Sequence, residues 1–175
     1  MVGPGRNVEL KARDPDPAGS LALCRSLGAK ERGVLAQRDT YFRVPHGRLK
    51  LREEGAAAEL IGYERPDLAA QRESSYRRVP VDDPEALKAA LAAALGVEAT
   101  VVKERRLFAW EGVRIHLDRV KGLGDFVEFE AVIGAALDPG SAGRRVEQLR
   151  RAFGIGEDRL IGQSYCDLAL AAAPA

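Results

Sequence analysis

Cysteine, histidine, tryptophan and methionine are all scarce here, at 2, 2, 1 and 1 among 175 residues. Cys24 and Cys166 stand far apart with no CxxC spacing. That excludes a disulfide framework and a cysteine zinc site, and makes a reducing cytoplasm the expected compartment. With only His46 and His116 present, no serine–histidine–acid arrangement is suggested. Long apolar runs are missing: none approaches the roughly 20 residues of a membrane span. Residues 1–6 place no apolar stretch behind their charge, so they do not read as a signal peptide. An excess of either charge is missing too, since 27 Lys+Arg against 26 Asp+Glu leave +1. That balance excludes the global basic field of a nucleic-acid binder. There is no GxxxxGK[ST] loop, and Gly122-Leu123-Gly124 lacks the third glycine and following helix of a dinucleotide fingerprint. What remains is an ordinary globular composition, 46% hydrophobic and 30% charged, with no repeat or long linker. A single domain over residues 1–175 is expected.

Strict alternation of polar and apolar side chains dominates this chain. In residues 113–131, Arg114, His116 and Asp118 alternate with Val113, Ile115 and Leu117. After Gly122 and Gly124, Glu128 and Glu130 alternate with Val127, Phe129 and Ala131. Successive strand side chains point to opposite faces, so this is a hairpin with a glycine turn. Two carboxylates on one strand face repel, and they are stable together mainly in water or around a cation.

Residues 7–12 form another strand, with Asn7, Glu9 and Lys11 on one face. Residues 37–42 are β-rich. Arg48-Leu49-Lys50-Leu51-Arg52 puts three cations on one face and two leucines on the other. Further strands are expected over 59–65 (Tyr63 and Arg65 sharing a face), 73–79 and 101–110, the last pairing Lys103 with Arg105. Helices are expected after Asp14-Pro15-Asp16-Pro17, carrying Leu21, Cys24 and Leu27, and after Asp83-Pro84, carrying Leu87, Leu91 and Leu95 before Gly96. Ser141 is taken to open a third, with Val146, Leu149 and Phe153 on one face. Ser164 is taken to open a short one over about 164–172, followed by a frayed tail. Cys24 reads as a small core residue and His46 as an exposed loop residue.

About eight strands with a few amphipathic helices predict an α+β fold dominated by an antiparallel sheet. The charges on its polar face sort by strand. Glu9, Asp118, Glu128 and Glu130 are acidic; Lys11, Arg48, Lys50, Arg52, Arg65, Lys103 and Arg105 are basic. Helices covering the apolar faces would turn the polar face inward, giving a closed barrel with a charged lumen. An open sheet with cross-strand ion pairs is the plain alternative, but it leaves the run Arg48, Lys50, Arg52 unexplained. A charged lumen is costly unless its groups compensate one another or a ligand does. Polyphosphate esters with magnesium or manganese suit it: arginine forks match phosphate oxygens, and carboxylates match hard divalent ions.

Asn7-Val8-Glu9-Leu10-Lys11 resembles the ExExK motif of the CYTH superfamily, the triphosphate tunnel metalloenzymes. The run 48–52, the Lys103/Arg105 pair, the Gly122–Phe126 turn, Glu128-x-Glu130 and Ser164-Tyr165 follow in that family's order. No single motif is specific; the ordered set is. The resemblance implies an eight-stranded antiparallel tunnel binding a triphosphate and Mg²⁺ or Mn²⁺. By position, Glu9, Glu128, Glu130 and Asp118 would hold the metal. Lys11, Arg48, Lys50, Arg52, Arg65, Lys103 and Arg105 would grip the substrate, and Lys11, Asp118, Glu128 and Glu130 would serve catalysis.

One departure matters: Asn7 stands where the motif has its first glutamate, which weakens one metal site. His116, beside Asp118, is either a proton-transfer group or a hydrogen-bonded wall residue. Three activities stay open: a metal-dependent triphosphatase, a class IV adenylyl cyclase and a non-catalytic triphosphate sensor. The expected partner is a small triphosphate, with no nucleic acid and no membrane. A homodimer stays open as the oligomeric form.

Overall fold

The computed structural model describes residues 5–173. Eight strands close an antiparallel barrel: β1 (Gly5–Arg13), β2 (Lys30–Phe42), β3 (Arg48–Glu54), β4 (Ala57–Glu64), β5 (Arg72–Pro80), β6 (Val97–Trp110), β7 (Val113–Val120) and β8 (Gly124–Ile133). Their order around the barrel is β1-β5-β4-β3-β2-β6-β7-β8, and β8 pairs back onto β1. Closure leaves no sheet edge, and it makes one face of every strand a lumen wall. Four helices lie outside the strands or across one barrel end: α1 (Pro17–Ser26), α2 (Pro84–Leu95), α3 (Pro139–Ala152) and α4 (Tyr165–Ala172).

The helix starts are set by side-chain caps. Asp16, Asp83 and Asp138 accept from the backbone N–H of Gly19, Ala86 and Ser141, each with proline in the first turn. Ser164 and Asp167 form a reciprocal capping box on α4.

Three elements differ from expectation. α3 starts at Pro139 and not at Ser141, because Asp138 takes both the Ser141 N–H (3.0 Å) and its hydroxyl (2.6 Å). β2 begins seven residues before Gln37. A register shift between Glu31 and Gly33 breaks the alternation there, and Gly33 has φ +126°. β6 begins at Val97, directly after the Gly96 helix stop, and pairs with the end of β2. Of the expected frayed tail, residues 174–175 lie outside the described residues.

Three apolar clusters fix the barrel. Val8, Leu10, Phe108, Ile115, Val127 and Phe129 on the outer face meet Val146 and Leu149 of α3, and Cys24 of α1 is buried with them. Phe42, Leu51 and Ala58 are covered by Leu87, Leu91 and Leu95 of α2. Tyr41, Val101, Val120 and Phe126 are closed over by Tyr165 and Cys166 at the start of α4. Burying a side chain such as Phe129 contributes about 1.5–3 kcal/mol. The outer face thus carries two of the apolar clusters, while the inner face carries charge and, at one end, the cluster that closes under Tyr165.

Candidate functional site

The lumen holds a cavity of about 280 Å³ lined by eight basic side chains against four acidic ones. Lys11, Lys50, Arg52, Arg65, Lys103 and Arg105 all reach it, as the alternation predicts, and so do Glu9, Glu128 and Glu130. Two expected residues do not line it. Arg48, the first residue of β3, turns to Asp67 (2.7 Å) and Asp167 (3.1 Å) and ties the barrel rim to α4. Asp118 lies behind the cations. Its carboxylate accepts from Arg105 Nε (2.7 Å), Arg105 Nη2 (2.6 Å), Lys103 Nζ (3.2 Å) and the Tyr165 hydroxyl (3.0 Å). With its side chain fully buried and its lone pairs taken, Asp118 is placed to position cations and not to bind a metal.

The residue that sequence reasoning passed over is Asp39. Arg52 forks onto it through Nε and Nη2, both at 2.7 Å, and Lys50 donates at 2.8 Å. Burial works against its charge, but Lys50 and Arg52 prevail and hold the carboxyl well below its usual range. Its signal was present: Gln37, Asp39 and Tyr41 alternate within the expected strand, and Asp39 pairs with Arg52 across β3. Arg72 was missed as well, and donates to Glu9 (3.1 Å) and to the carbonyls of Leu68 (2.6 Å) and Ile161 (3.1 Å). Arg65 sits one residue past β4, and still reaches Glu9 at 3.5 Å.

Even with Asp39 and Asp118 counted, the cations outnumber the acids, and they lie mostly out of water. Burial and the neighbouring Arg52 push the Lys50 ammonium down to about 7. Burial pushes Lys11 down to about 8 even though Glu128 works the other way. Lys103 is lowered by burial and by Arg105. A multiply charged anion would reverse these shifts, because it supplies the missing counter-charge.

The acidic wall lies across β1 and β8. Glu9 faces Glu130 and Lys11 faces Glu128 in register. Burial favours neutral carboxyls here, but Lys11 and Arg105 hold Glu128 well down, and His116 and Arg114 hold Glu130 down. His116 sits between them, with Nδ1 3.4 Å from Glu128 and Nε2 3.7 Å from Glu130. Burial and Arg105 lower its pKa, so it is a neutral, hydrogen-bonded wall residue near pH 7.

Asn7 donates through Nδ2 to Glu130 at 2.7 Å, and its Oδ1 is buried with no partner. That orphaned oxygen, with Glu9, Glu128 and Glu130, is an all-oxygen donor set that fits a hard divalent ion. Among the described residues no three acidic, histidine or cysteine side chains form a ready-made ion site. A bound ion would therefore need further oxygen donors, from water or from a ligand, to complete its coordination.

One end of the lumen is plugged. Tyr165 lies under Lys11 and Lys103, whose ammonium nitrogens are 3.9 Å and 4.8 Å from its ring centroid. Lys11 also donates to the Gln163 carbonyl at 3.2 Å.

The family model for the CYTH domain matches residues 5–165. The chain belongs to the CYTH family. It is similar in structure to the PH1012 protein from Pyrococcus horikoshii, at 26% identity and TM-score 0.82, covering 93% of this chain and 98% of that one. A candidate adenylate cyclase from Vibrio parahaemolyticus shares the fold at 20% identity and TM-score 0.74, covering 97% and 99%. So does HpAC1 from Hippeastrum, described as having a dominant triphosphatase activity, at 16% identity and TM-score 0.68, covering 98% and 97%. No curated protein matches the sequence. The CYTH fold accounts for the closed barrel and the inward-facing charges, and no described helix is long and apolar enough to cross a membrane.

Proposed function

We propose that this CYTH protein is a divalent-metal-dependent phosphohydrolase acting on a small triphosphate held in the tunnel. The observation that carries the reading is the two-sided lumen. Lys11, Lys50, Arg52, Lys103 and Arg105 converge on one cavity, against an all-oxygen wall of Asn7, Glu9, Glu128 and Glu130. Phosphoryl transfer needs little more than positioning and charge neutralisation.

Arg52 and Arg105 would grip phosphate oxygens by their forks, with Asp39 and Asp118 as positioning residues that fix the guanidinium planes. Lys11, Lys50 and Lys103 regain full charge as the anion enters. A magnesium- or manganese-type ion held by Asn7, Glu9, Glu128 and Glu130 would supply Lewis acidity toward the phosphate oxygens. His116 orients Glu128 by hydrogen bonding. Water is the simplest acceptor, and one relative in fold, HpAC1, is described as having a dominant triphosphatase activity.

The test is product analysis with magnesium and with manganese. Orthophosphate from inorganic triphosphate, or ADP and orthophosphate from ATP, is the expected result. Cyclic AMP with pyrophosphate from ATP would replace the hydrolase with a cyclase. Tight binding without any product would make the protein a sensor.

A further inference from the structure

Asp39 carries one charge and meets two cations. Arg52 takes both of its oxygens, and Lys50 shares the second at 2.8 Å. The same pattern recurs at Asp118, where Arg105 takes both oxygens and Lys103 shares one at 3.2 Å. In each set the arginine fork already neutralises the carboxylate, so the lysine is the surplus charge. An arginine cannot shed that charge, whereas a buried lysine can.

Lys50 differs from the other lumen lysines in reach. Its side chain is 12% exposed and lines the cavity. Lys11 and Lys103 are only 6% and 2% exposed, and both lie against the Tyr165 ring. The Lys50 nitrogen also has few partners. Beyond Asp39 its polar contact is the Tyr41 hydroxyl at 3.5 Å. The rings of Tyr41 and Tyr63 flank it, with centroids 5.4 Å and 5.6 Å away, and β4 places Ile61 opposite it in register. The charged groups acting on it are Arg52, Asp39 and Lys103, while burial keeps both tyrosines as neutral phenols. With its pKa lowered to about 7, a large share of Lys50 is free amine near neutral pH. An ordinary lysine is unprotonated there in fewer than about one copy in a thousand. A desolvated amine beside another cation is a nucleophile.

We propose that Lys50 is a carbon dioxide site: its amine forms a carbamate in the lumen, and the carbamate excludes the triphosphate. The Nζ lone pair forms the new C–N bond, one C=O electron pair moves onto oxygen, and an N–H proton leaves to solvent. Nothing is oxidised or reduced. The reagent has to be small and uncharged, because an entering anion would return Lys50 to the unreactive ammonium. Carbon dioxide is both, and its product is an anion formed where cations are in excess. Arg52 spends Nε and Nη2 on Asp39, so Nη1 remains as a donor for a carbamate oxygen. Lys103 and Arg105 add positive charge nearby. The carbamate would thus take up the counter-charge role that a phosphate oxygen would otherwise fill. Only the exclusion rests on the triphosphate reading of the tunnel.

The experiment is carbon NMR of the full chain with isotopically labelled bicarbonate and its dissolved carbon dioxide, near neutral pH and with a chelator present. Wild type should show a carbamate carbon correlated with a lysine ε-methylene, and Lys50→Arg should lack it. The α-amino group can react as well, but its signal has no ε-methylene and survives in the variant. Trapping the carbamate with an alkylating oxonium salt, followed by peptide mass spectrometry, locates the residue in wild type even if Lys50→Arg fails to fold. Inorganic triphosphate should erase the signal. At half occupancy of the carbamate, calorimetry at matched ionic strength should read triphosphate affinity about twofold weaker.

No lysine carbamate in wild type, one trapped on a different lysine, or one unchanged in Lys50→Arg overturns the site. A Lys50 carbamate that persists with triphosphate bound overturns the exclusion. A Lys50 carbamate in a protein that does not bind inorganic triphosphate upholds the carbon dioxide site and removes the triphosphate reading instead.

Discussion

Replacing Asp39 by asparagine removes the buried carboxylate that holds Arg52 and Lys50, at 2.7–2.8 Å, on the wall of the tunnel. Breaking a buried ion pair costs about 3–5 kcal/mol. Lys50 already sits near pKa 7 and can shed its proton when its partner goes; Arg52 cannot. The lower end therefore applies, about 3 kcal/mol, which for a chain of this length lowers Tm by about 6–12 °C.

The same change frees the Arg52 guanidinium and the Lys50 amine, which takes its proton back as the anion enters, so inorganic triphosphate should stabilise Asp39→Asn by more degrees than it stabilises the wild type. The assay is thermal unfolding with and without inorganic triphosphate at pH 7. The pH dependence has a definite sign. The folded pKa of Asp39 is depressed, so its contribution is present above the unfolded value of about 3.9 and is lost as pH falls through the lower folded one. Asp39→Asn should abolish that part of the acid sensitivity. A variant that melts within about 2 °C of wild type, or gains no more from triphosphate than wild type does, would refute the argument.

Three further outcomes follow from the same geometry. At pH 8, where Lys50 (about 7) and Lys11 (about 8) are substantially neutral, triphosphate binding should take up protons. Calorimetry in buffers of different ionisation heat measures that uptake, and none would contradict the lysine assignment. Glu130→Gln should lose metal-dependent turnover by at least about tenfold with an unchanged circular dichroism spectrum; full activity would remove Glu130 from the metal site. Tyr165→Phe withdraws a donor from buried Asp118 and should lower stability by about 1–3 kcal/mol in urea unfolding, and no loss would mean that the hydroxyl is idle.

Faces were legible in the sequence because a period of two settles them. Lys11, Lys50, Arg52, Lys103, Arg105, Glu9, Glu128 and Glu130 reach the lumen as the alternation requires. Pairing was not legible, because periodicity says nothing of which strand lies opposite. Asp39 became meaningful only once β2 lay beside β3, and Asp118 proved to be saturated only once Tyr165 of the distant α4 closed on it. Arg48 fails for a related reason: it shares a face with Lys50 and Arg52, but it stands at a strand end, where two aspartates capture it. The α3 start was misplaced because Ser141 and Asp138 are both good caps, and a proline after the aspartate decides between them.

Phosphorus NMR of inorganic triphosphate with the purified protein tests the central claim most directly. The account predicts that the triphosphate lines shift or broaden at stoichiometric protein under chelation, and that orthophosphate appears once magnesium or manganese is added. Lines unmoved by the protein, with no orthophosphate under either metal, would contradict it.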